Sequence, residues 1–347
     1  MVGDLIRGVN LTGWFSLETW VTPEVFAATG ALSEADLIEA LGTENYLRLV
    51  QNHRETFIVE QDFKEMAHRG FNAVRIPIPW YVFGQDGPFP GIHQSSIEIL
   101  DKAFEWAEAY NMDVLLDINL VPGAKVAPDG LQMYVDMQPE YKQATLTVLS
   151  MLAKRYKDKP SFLGIEPLGE VCPQRRKGFS ILEGVPLPRL RSFYRDAYDC
   201  IREAAGPDVV VVVSDAGLPG AWKHFMAQRR YENVWLDSHL YNFRKQENVL
   251  APSGIRALMK HTTTALNKSK TSGLPVMVGE WSAALPIADS TMTPEGKIAL
   301  ERLYVSNQLS AFEGCSAWFF QTWKTSGRIS SWDARVALSS FESDMLY

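Results

Sequence analysis

The sequence predicts an α/β fold, a single closed (β/α)8 barrel of the TIM type that takes up residues 1–347. Three observations lead to it. Eight short apolar runs rich in β-branched residues recur, amphipathic stretches separate most of them, and no Pro/Gly/Ser-rich linker divides the chain. Apolar strands that alternate with helices indicate a parallel sheet covered by helices. Eight such units in 347 residues favour a closed barrel over an open doubly wound sheet or two average domains.

The elements follow from these patterns in chain order. The predicted strands lie at 5–11, 71–78, 112–120, 162–168, 208–215, 233–240, 274–281 and 315–323. Apolar positions at helical spacing predict helices within 60–70, 95–111, 140–158 and 190–206. No GxGxxG follows the first strand and no GxxxxGK[ST] occurs, which disfavours the nucleotide-binding folds.

Composition narrows the classes of partner. With 46% hydrophobic and 22% charged residues the chain resembles an ordinary globular protein, and its net charge of −7 argues against nucleic acid. The three cysteines, Cys172, Cys200 and Cys315, form no CxxC pair, which favours a reduced compartment over a disulfide framework. Neither a signal peptide, an 18-residue apolar run nor a metal-ligand spacing is found. We therefore expect a cytoplasmic location, no membrane partner, no metal and no cofactor.

Polar residues gather where the predicted strands end. In a (β/α)8 barrel the site lies at the C-terminal ends of the strands, so side chains there become candidates. This set comprises Arg75, Asp117, Asn119, Glu170, Asp215, Asp237, His239 and Glu280. A lone glutamate at a strand end is more often an ion-pair partner or a helix cap. The convergence of several segments on one rim is what favours a catalytic site.

Glu170 and Glu280 end the fourth and seventh strands, which face each other across the barrel mouth. Paired carboxyls about 5–5.5 Å apart are typical of retaining glycosidases, and about 6.5–9.5 Å of inverting ones. Arg75 is a plausible partner for the ionised member of the pair. Glu166 competes with Glu170 for the acid role, but its place within an apolar run predicts a buried strand residue or an ion-pair partner inside the barrel.

Ten tryptophans are many for this length, and several fall near the predicted rim. Indole rings suit the flat C–H faces of sugars, although most tryptophans in any protein belong to the core. We expect Trp281 and Trp323, which neighbour the proposed site, to contact a substrate.

Several segments together resemble glycoside hydrolase family 5, a group of (β/α)8 retaining β-glycosidases. They are "RGVNLTGWF", "GFNAVRIPIPWYVF", "VLLDINLVPGA", "GIEPLGE", "LDSHLYNF", "PVMVGEWSAAL" and "AWFFQTWKT", and they span almost the whole chain. The last two are most similar to the exo-β-1,3-glucanase branch. The resemblance implies Glu280 as nucleophile, Glu170 as acid/base and Arg75 as support for the nucleophile. It further implies His239 and Tyr241 as the residues that orient the carboxyls, and Trp323 as the platform under the sugar.

Two positions depart from that family pattern. Asn119 stands where a histidine is usual, and Gly169 where an asparagine normally contacts the sugar 2-hydroxyl. Loss of that side chain opens room for an axial 2-hydroxyl, which favours β-mannosides. The chain also resembles an intracellular bacterial branch of the family, and this resemblance implies a β-mannosidase acting on small oligosaccharides such as mannosyl-β-1,4-N-acetylglucosamine. The alternatives are an exo-β-1,3-glucosidase and, in another class, an inactive carbohydrate-binding barrel. A further hypothesis is that Asn119 partly replaces the missing contact.

Overall fold

The computed structural model describes residues 5–89, 91–126, 133–135, 137–177, 180–243, 245, 249–287 and 292–339. The strands are β1 (Ile6–Asn10), β2 (Ala73–Pro79), β3 (Asp113–Leu120), β4 (Lys125–Val126), β5 (Met133–Tyr134), β6 (Phe162–Glu166), β7 (Arg175–Lys177), β8 (Ser180–Leu182), β9 (Val210–Ser214), β10 (Val234–Leu240), β11 (Val276–Trp281) and β12 (Ala317–Phe320).

Eight of these strands close into a parallel barrel in the order β1-β12-β11-β10-β9-β6-β3-β2. Each lies inside or within a residue of one of the eight predicted runs, so the predicted closed (β/α)8 barrel is confirmed. The short pairs β4-β5 and β7-β8 form antiparallel hairpins in the loops that follow β3 and β6.

The helices are α1 (Pro23–Ala27), α2 (Glu34–Leu41), α3 (Thr43–Thr56), α4 (Glu60–His68), α5 (Ile97–Ala109), α6 (Pro139–Tyr156), α7 (Leu187–Ala205), α8 (Pro252–Lys270), α9 (Pro294–Phe312) and α10 (Ala334–Ala337). The four predicted helical segments correspond to α4, α5, α6 and α7. Within the described ranges, no helix combines the length and apolarity needed to cross a bilayer.

Side-chain alternation along the strands separates an outer core from the barrel interior. The outer core lies between strands and helices, and a small apolar cluster fills the interior: Ala73, Leu115, Val210, Val212, Met277, Ala317 and Phe319. Because alternate residues of a strand face the same side, the inward positions beyond this cluster are Arg75 on β2 and Asp117 on β3. The apolar interior thus carries a polar layer at the C-terminal end of the barrel.

Candidate active site

Arg75 stands at the centre of the buried polar layer. Its side chain is 0% exposed, and its Nε and Nη2 donate to Glu166 Oε2 at 3.0 and 2.9 Å. Nη2 also lies 3.0 Å from Asp117 Oδ2. A buried guanidinium is tolerated only when charged partners replace its hydration. Glu166 is therefore an ion-pair partner inside the barrel, as predicted, and its side chain is closed to solvent.

Glu280 receives donors on both carboxylate oxygens. Arg75 Nη1 donates to Oε1 at 3.1 Å, and the Tyr241 hydroxyl donates to Oε2 at 2.6 Å. Arg75 is held in turn by Asn10, whose Oδ1 accepts from Nη1 at 2.9 Å. Charge-assisted hydrogen bonds of this kind stabilise an ionised carboxylate and fix its orientation.

A shift in strand register turns Glu280 into the barrel. Met277 belongs to the interior cluster, so strict alternation would point residue 280 outward. Between the paired positions Asp237↔Met277 and His239↔Glu280, however, β11 contains one residue more than β10. Such a bulge re-aims the following side chain. Glu280 consequently faces the polar layer, whereas Trp281 packs in the outer core.

Glu170 lies on the turn after β6, between two anchored residues. Leu168 and Val171 are 0% exposed, and the Tyr194 hydroxyl donates to the Leu168 carbonyl at 3.0 Å. The Glu170 side chain remains 29% exposed. It is therefore held in place by buried neighbours while its carboxyl is open to a ligand.

His239 joins the two glutamates. Its Nδ1 lies 3.1 Å from Glu170 Oε1 and 3.5 Å from Glu280 Oε2, and its Nε2 lies 3.0 Å from Asp237 Oδ2. One oxygen of Glu170, one of Glu280 and a His239 ring nitrogen all lie within 4.8 Å of one another. The two carboxyl groups therefore approach each other closely across the barrel mouth, as the short carboxyl spacing of retaining glycosidases requires.

The protonation states of these groups differ because their surroundings differ. Burial and the nearby charge of Glu280 raise the pKa of Glu170 to about 8, so this carboxyl holds a proton at neutral pH. Burial opposes a charge on His239, but Glu280 and Asp237 raise the pKa of the imidazole well above its usual value. His239 is then an imidazolium that donates to Asp237 and to Glu170.

Each of the two glutamates follows a glycine against which an aspartate packs. A Cβ on Gly169 would lie 2.4 Å from Asp117 Oδ1 and 2.8 Å from Arg75 Nη2. A Cβ on Gly279 would lie 2.0 Å from Asp237 Oδ2. The expectation that Gly169 leaves room for an axial hydroxyl is therefore wrong, because the Asp117 carboxylate already occupies that space.

Replacing Gly169 by alanine should destabilise the protein. The added methyl group must displace Asp117 from its ion pair with Arg75, so we expect the free energy of unfolding to fall by about 1–3 kcal/mol. Urea denaturation measures this change. Gly220→Ala is the matched control, since a Cβ there meets no atom within 4 Å and should change stability by less than about 0.5 kcal/mol. Equal stability of the two variants would contradict the packing argument.

Asn119 lies near the end of β3, two residues beyond Asp117, where the register between β2 and β3 shifts. Its Oδ1 is buried and makes no hydrogen bond to the part of the chain that the structure describes. An amide oxygen in this state is available to a donor from a ligand or water. The hypothesis that Asn119 partly replaces the missing asparagine contact stays a prediction.

Trp281 and Trp323 do not line the site. Both are 0% exposed and belong to the outer core. The Trp323 indole N–H donates to Asp62 Oδ1 on α4 at 2.9 Å, and Trp281 packs against Phe312 of α9 at a centroid distance of 5.3 Å. A ring without an exposed face cannot stack on a sugar, so the prediction of substrate contact is wrong for both.

Glu18 is a site residue that strand-end reasoning missed. It lies in the loop after β1 and accepts from the Trp20 indole N–H at 2.7 Å. Burial raises the pKa of Glu18 to about 7 against the opposing effect of that hydrogen bond, and Glu280 and Asp117 add to the rise. The sequence could have indicated Glu18 only through its position, because the loop after β1 opens onto the same rim as the other strand ends.

Among the residues that the structure describes, two groups have the residue types of a cation site. They are Glu166 with Asp237 and His239, and Glu170 with His239 and Glu280. His239 belongs to both, and as an imidazolium hydrogen-bonded at both nitrogens it has no lone pair for a metal. The donor set therefore fits proton transfer better than metal binding.

Comparisons with known proteins agree with this geometry. A sequence model of the cellulase family, glycosyl hydrolase family 5, matches residues 41–296. A probable glucan 1,3-beta-glucosidase A from Aspergillus clavatus is 29% identical over 379 residues, covering 97% of this chain and 86% of that protein. A glucan 1,3-beta-glucosidase from Blumeria graminis is 30% identical over 367 residues, covering 92% and 82%.

Similarity to solved structures bears on the fold and not on the function. The rutinosidase from Aspergillus niger superimposes with a TM-score of 0.78 over 98% of both chains, at 17% sequence identity. This likeness extends over the whole barrel, and at this level of identity it carries no information about the substrate.

Proposed function

The chain belongs to glycosyl hydrolase family 5 and is a glycoside hydrolase, and from that premise we propose that it is a retaining exo-β-glucosidase acting on small 1,3-linked β-glucosides. One observation carries the proposal: a protonated, partly exposed Glu170 lies within 4.8 Å of a carboxylate oxygen of Glu280. The two groups lie close together, and Glu170 carries the proton that the first step of double displacement needs.

In the first step Glu280 attacks the anomeric carbon and forms an ester with it, while the glycosidic C–O bond breaks. Glu170 gives its proton to the departing oxygen. In the second step the Glu170 carboxylate takes a proton from water, whose oxygen attacks the same carbon and breaks the ester. Arg75 and Tyr241 hold the Glu280 carboxylate in position at 3.1 and 2.6 Å.

Glucose is favoured over mannose for two reasons. The sequence argument for mannose required free space beside Gly169, and a Cβ at that position would lie 2.4 Å from Asp117 Oδ1. The relatives covering nearly the whole chain are named glucan 1,3-beta-glucosidases.

Glu18 adds a third carboxyl at the rim, which can accept hydroxyl donors from a terminal sugar. An inactive binding barrel is disfavoured because both glutamates are present with their partners.

The substrate is tested with p-nitrophenyl β-glucoside, β-mannoside and β-N-acetylglucosaminide. We expect kcat/KM for the glucoside to exceed that for the mannoside by about 10–100-fold, because a hydroxyl of the wrong configuration leaves a polar group unpaired at a cost of about 1–3 kcal/mol. Laminaripentaose should release glucose stepwise, which chromatography of the products detects. A preference for the mannoside would support the β-mannosidase interpretation instead. Release of internal fragments from laminaripentaose would exclude exo action.

A further inference from the structure

Four half-buried aromatic side chains form a continuous surface beside the catalytic groups. We call this surface the aromatic wall, and it consists of Trp20, Tyr241, Phe243 and Trp332. Trp332 is its centre, because its ring lies 5.4 Å from Trp20, 5.5 Å from Tyr241 and 5.2 Å from Phe243 between centroids. None of the strand-end patterns in the sequence singles out this residue.

Both ends of the aromatic wall hold a carboxyl group. At one end the Tyr241 hydroxyl donates to Glu280 Oε2 at 2.6 Å, and at the other the Trp20 indole donates to Glu18 Oε2 at 2.7 Å. Trp332 therefore sits between the nucleophile candidate and a rim carboxyl that can bind hydroxyl groups. Sugar sites combine these two features, an apolar face for the C–H side of the ring and acceptors for its hydroxyls.

The backbone around Trp332 is fixed to the barrel. Its carbonyl accepts from the Thr322 N–H at 2.7 Å, next to the end of β12. The carbonyl of Ser331 accepts from the Ala283 N–H at 3.0 Å, just after β11. The ring thus stands on a segment tied to two strand ends, which limits the entropy lost when a ligand packs on it.

We infer that Trp332 is the stacking surface for the sugar ring at the cleaved position. The resemblance had implied this role for Trp323, which is buried. This inference rests on the proposed glycosidase action of the site, but not on which sugar is cleaved. Trp20 extends the surface toward Glu18. Covering one sugar face removes a few tens of Å² of apolar surface from water, which corresponds to about tenfold in affinity.

The test compares Trp332→Leu with wild type, because leucine keeps apolar bulk against Tyr241 and removes the flat face. Inhibition constants for glucose and for mannose are measured by competition against the p-nitrophenyl glycoside that wild type cleaves fastest. We expect the constant for the better inhibitor to rise about tenfold in Trp332→Leu. In Trp332→Phe, which keeps a smaller ring, the same inhibition constant should rise about threefold. This variant replaces the leucine variant if the latter fails to fold.

Two controls separate stacking from an indirect effect on Tyr241. Trp106→Leu removes another half-buried indole, in the helical layer on α5, and should leave both inhibition constants unchanged. Tyr241→Phe removes the hydroxyl that donates a hydrogen bond to Glu280, and should lower kcat far more than it weakens sugar inhibition.

The outcomes distinguish this inference from the proposed function. Unchanged inhibition constants in Trp332→Leu, together with a lower kcat or a displaced pH profile, would mean that the residue acts through Tyr241, and the inference would be overturned. A wild type that prefers the mannoside would overturn the proposed substrate, while a tenfold loss of mannose inhibition in Trp332→Leu would still support stacking. A wild type that cleaves none of the three p-nitrophenyl glycosides would overturn both.

Discussion

Glu280→Gln is expected to lower kcat by about four to six orders of magnitude, the scale seen when a covalent nucleophile is removed. An amide oxygen is too weak a nucleophile to form the ester with the anomeric carbon. The side chain keeps nearly the same shape. Its amide oxygen can still accept from Arg75, while its NH2 group can only donate, to the oxygen of the Tyr241 hydroxyl. Steady-state kinetics on p-nitrophenyl β-glucoside give kcat, and thermal unfolding checks that the fold is retained.

Glu301→Gln is the matched control for this loss. Glu301 is another buried glutamate, 6% exposed, and it lies on α9 in the helical layer. The same chemical change there should leave kcat within about twofold, because the residue is remote from the rim. If both variants kept wild-type kcat, Glu280 would not be the nucleophile, and an inactive binding barrel would regain support.

Covalent trapping gives a second measurement of the same assignment. A 2-deoxy-2-fluoro-glucosyl fluoride should form an ester with Glu280 that hydrolyses slowly, since the fluorine destabilises the transition state of the second step. Mass spectrometry of the digested protein should find the added sugar on the peptide that contains residue 280. A label on Glu170 or Glu166 instead would contradict the proposed roles.

The barrel could be predicted from sequence because its signal is repeated eight times. Each strand is a continuous apolar run, and burial on both faces leaves little else that such runs can do. Helices α1, α2 and α3, between β1 and β2, were not predicted. Their amphipathic pattern belongs to a smaller local cluster around Leu37 and Tyr46 rather than to the strand–helix alternation of the barrel.

Position on the rim could also be predicted, but side-chain direction could not. Glu280 and Trp281 are adjacent and both end β11, yet a one-residue register shift sends the first inward and the second outward. Trp323 follows β12 and turns toward α4, where Asp62 accepts its indole N–H. Strand-end patterns therefore identified the carboxyl groups at the C-terminal end of the barrel. They gave the wrong side-chain direction for Trp281 and Trp323, whose orientation depends on local irregularity of the backbone.

The space beside Gly169 was outside the reach of sequence for another reason. A missing side chain leaves a cavity only if no neighbour moves into it, and here the Asp117 carboxylate does so while keeping its ion pair with Arg75. Packing of this kind depends on contacts between β3 and the turn after β6, which lie some fifty residues apart in the chain. Local sequence contains no information on such a contact.

Glu170→Ala should reduce turnover in a way that depends on the leaving group. For a disaccharide, whose departing hydroxyl needs a proton, we expect kcat to fall by about 10²–10⁴-fold, the usual contribution of a general acid. For a 2,4-dinitrophenyl glucoside, which leaves without protonation, the first step should be nearly unaffected. Adding azide should then restore turnover, because this anion attacks the ester without needing a base, and the product β-glucosyl azide is detected by NMR.

The pH dependence adds a test of the same carboxyl. Since the pKa of Glu170 is about 8, kcat/KM of wild type on a disaccharide should fall about tenfold per pH unit above that value. The Glu170→Ala variant has no proton to lose, so its profile should lack this alkaline limb. Glu166→Gln provides the contrast, because it weakens the ion pair with Arg75 and should lower kcat equally for every leaving group while keeping the alkaline limb. If Glu166→Gln removed the limb and Glu170→Ala kept it, the acid would be Glu166, and its closed position against Arg75 would have to open during catalysis.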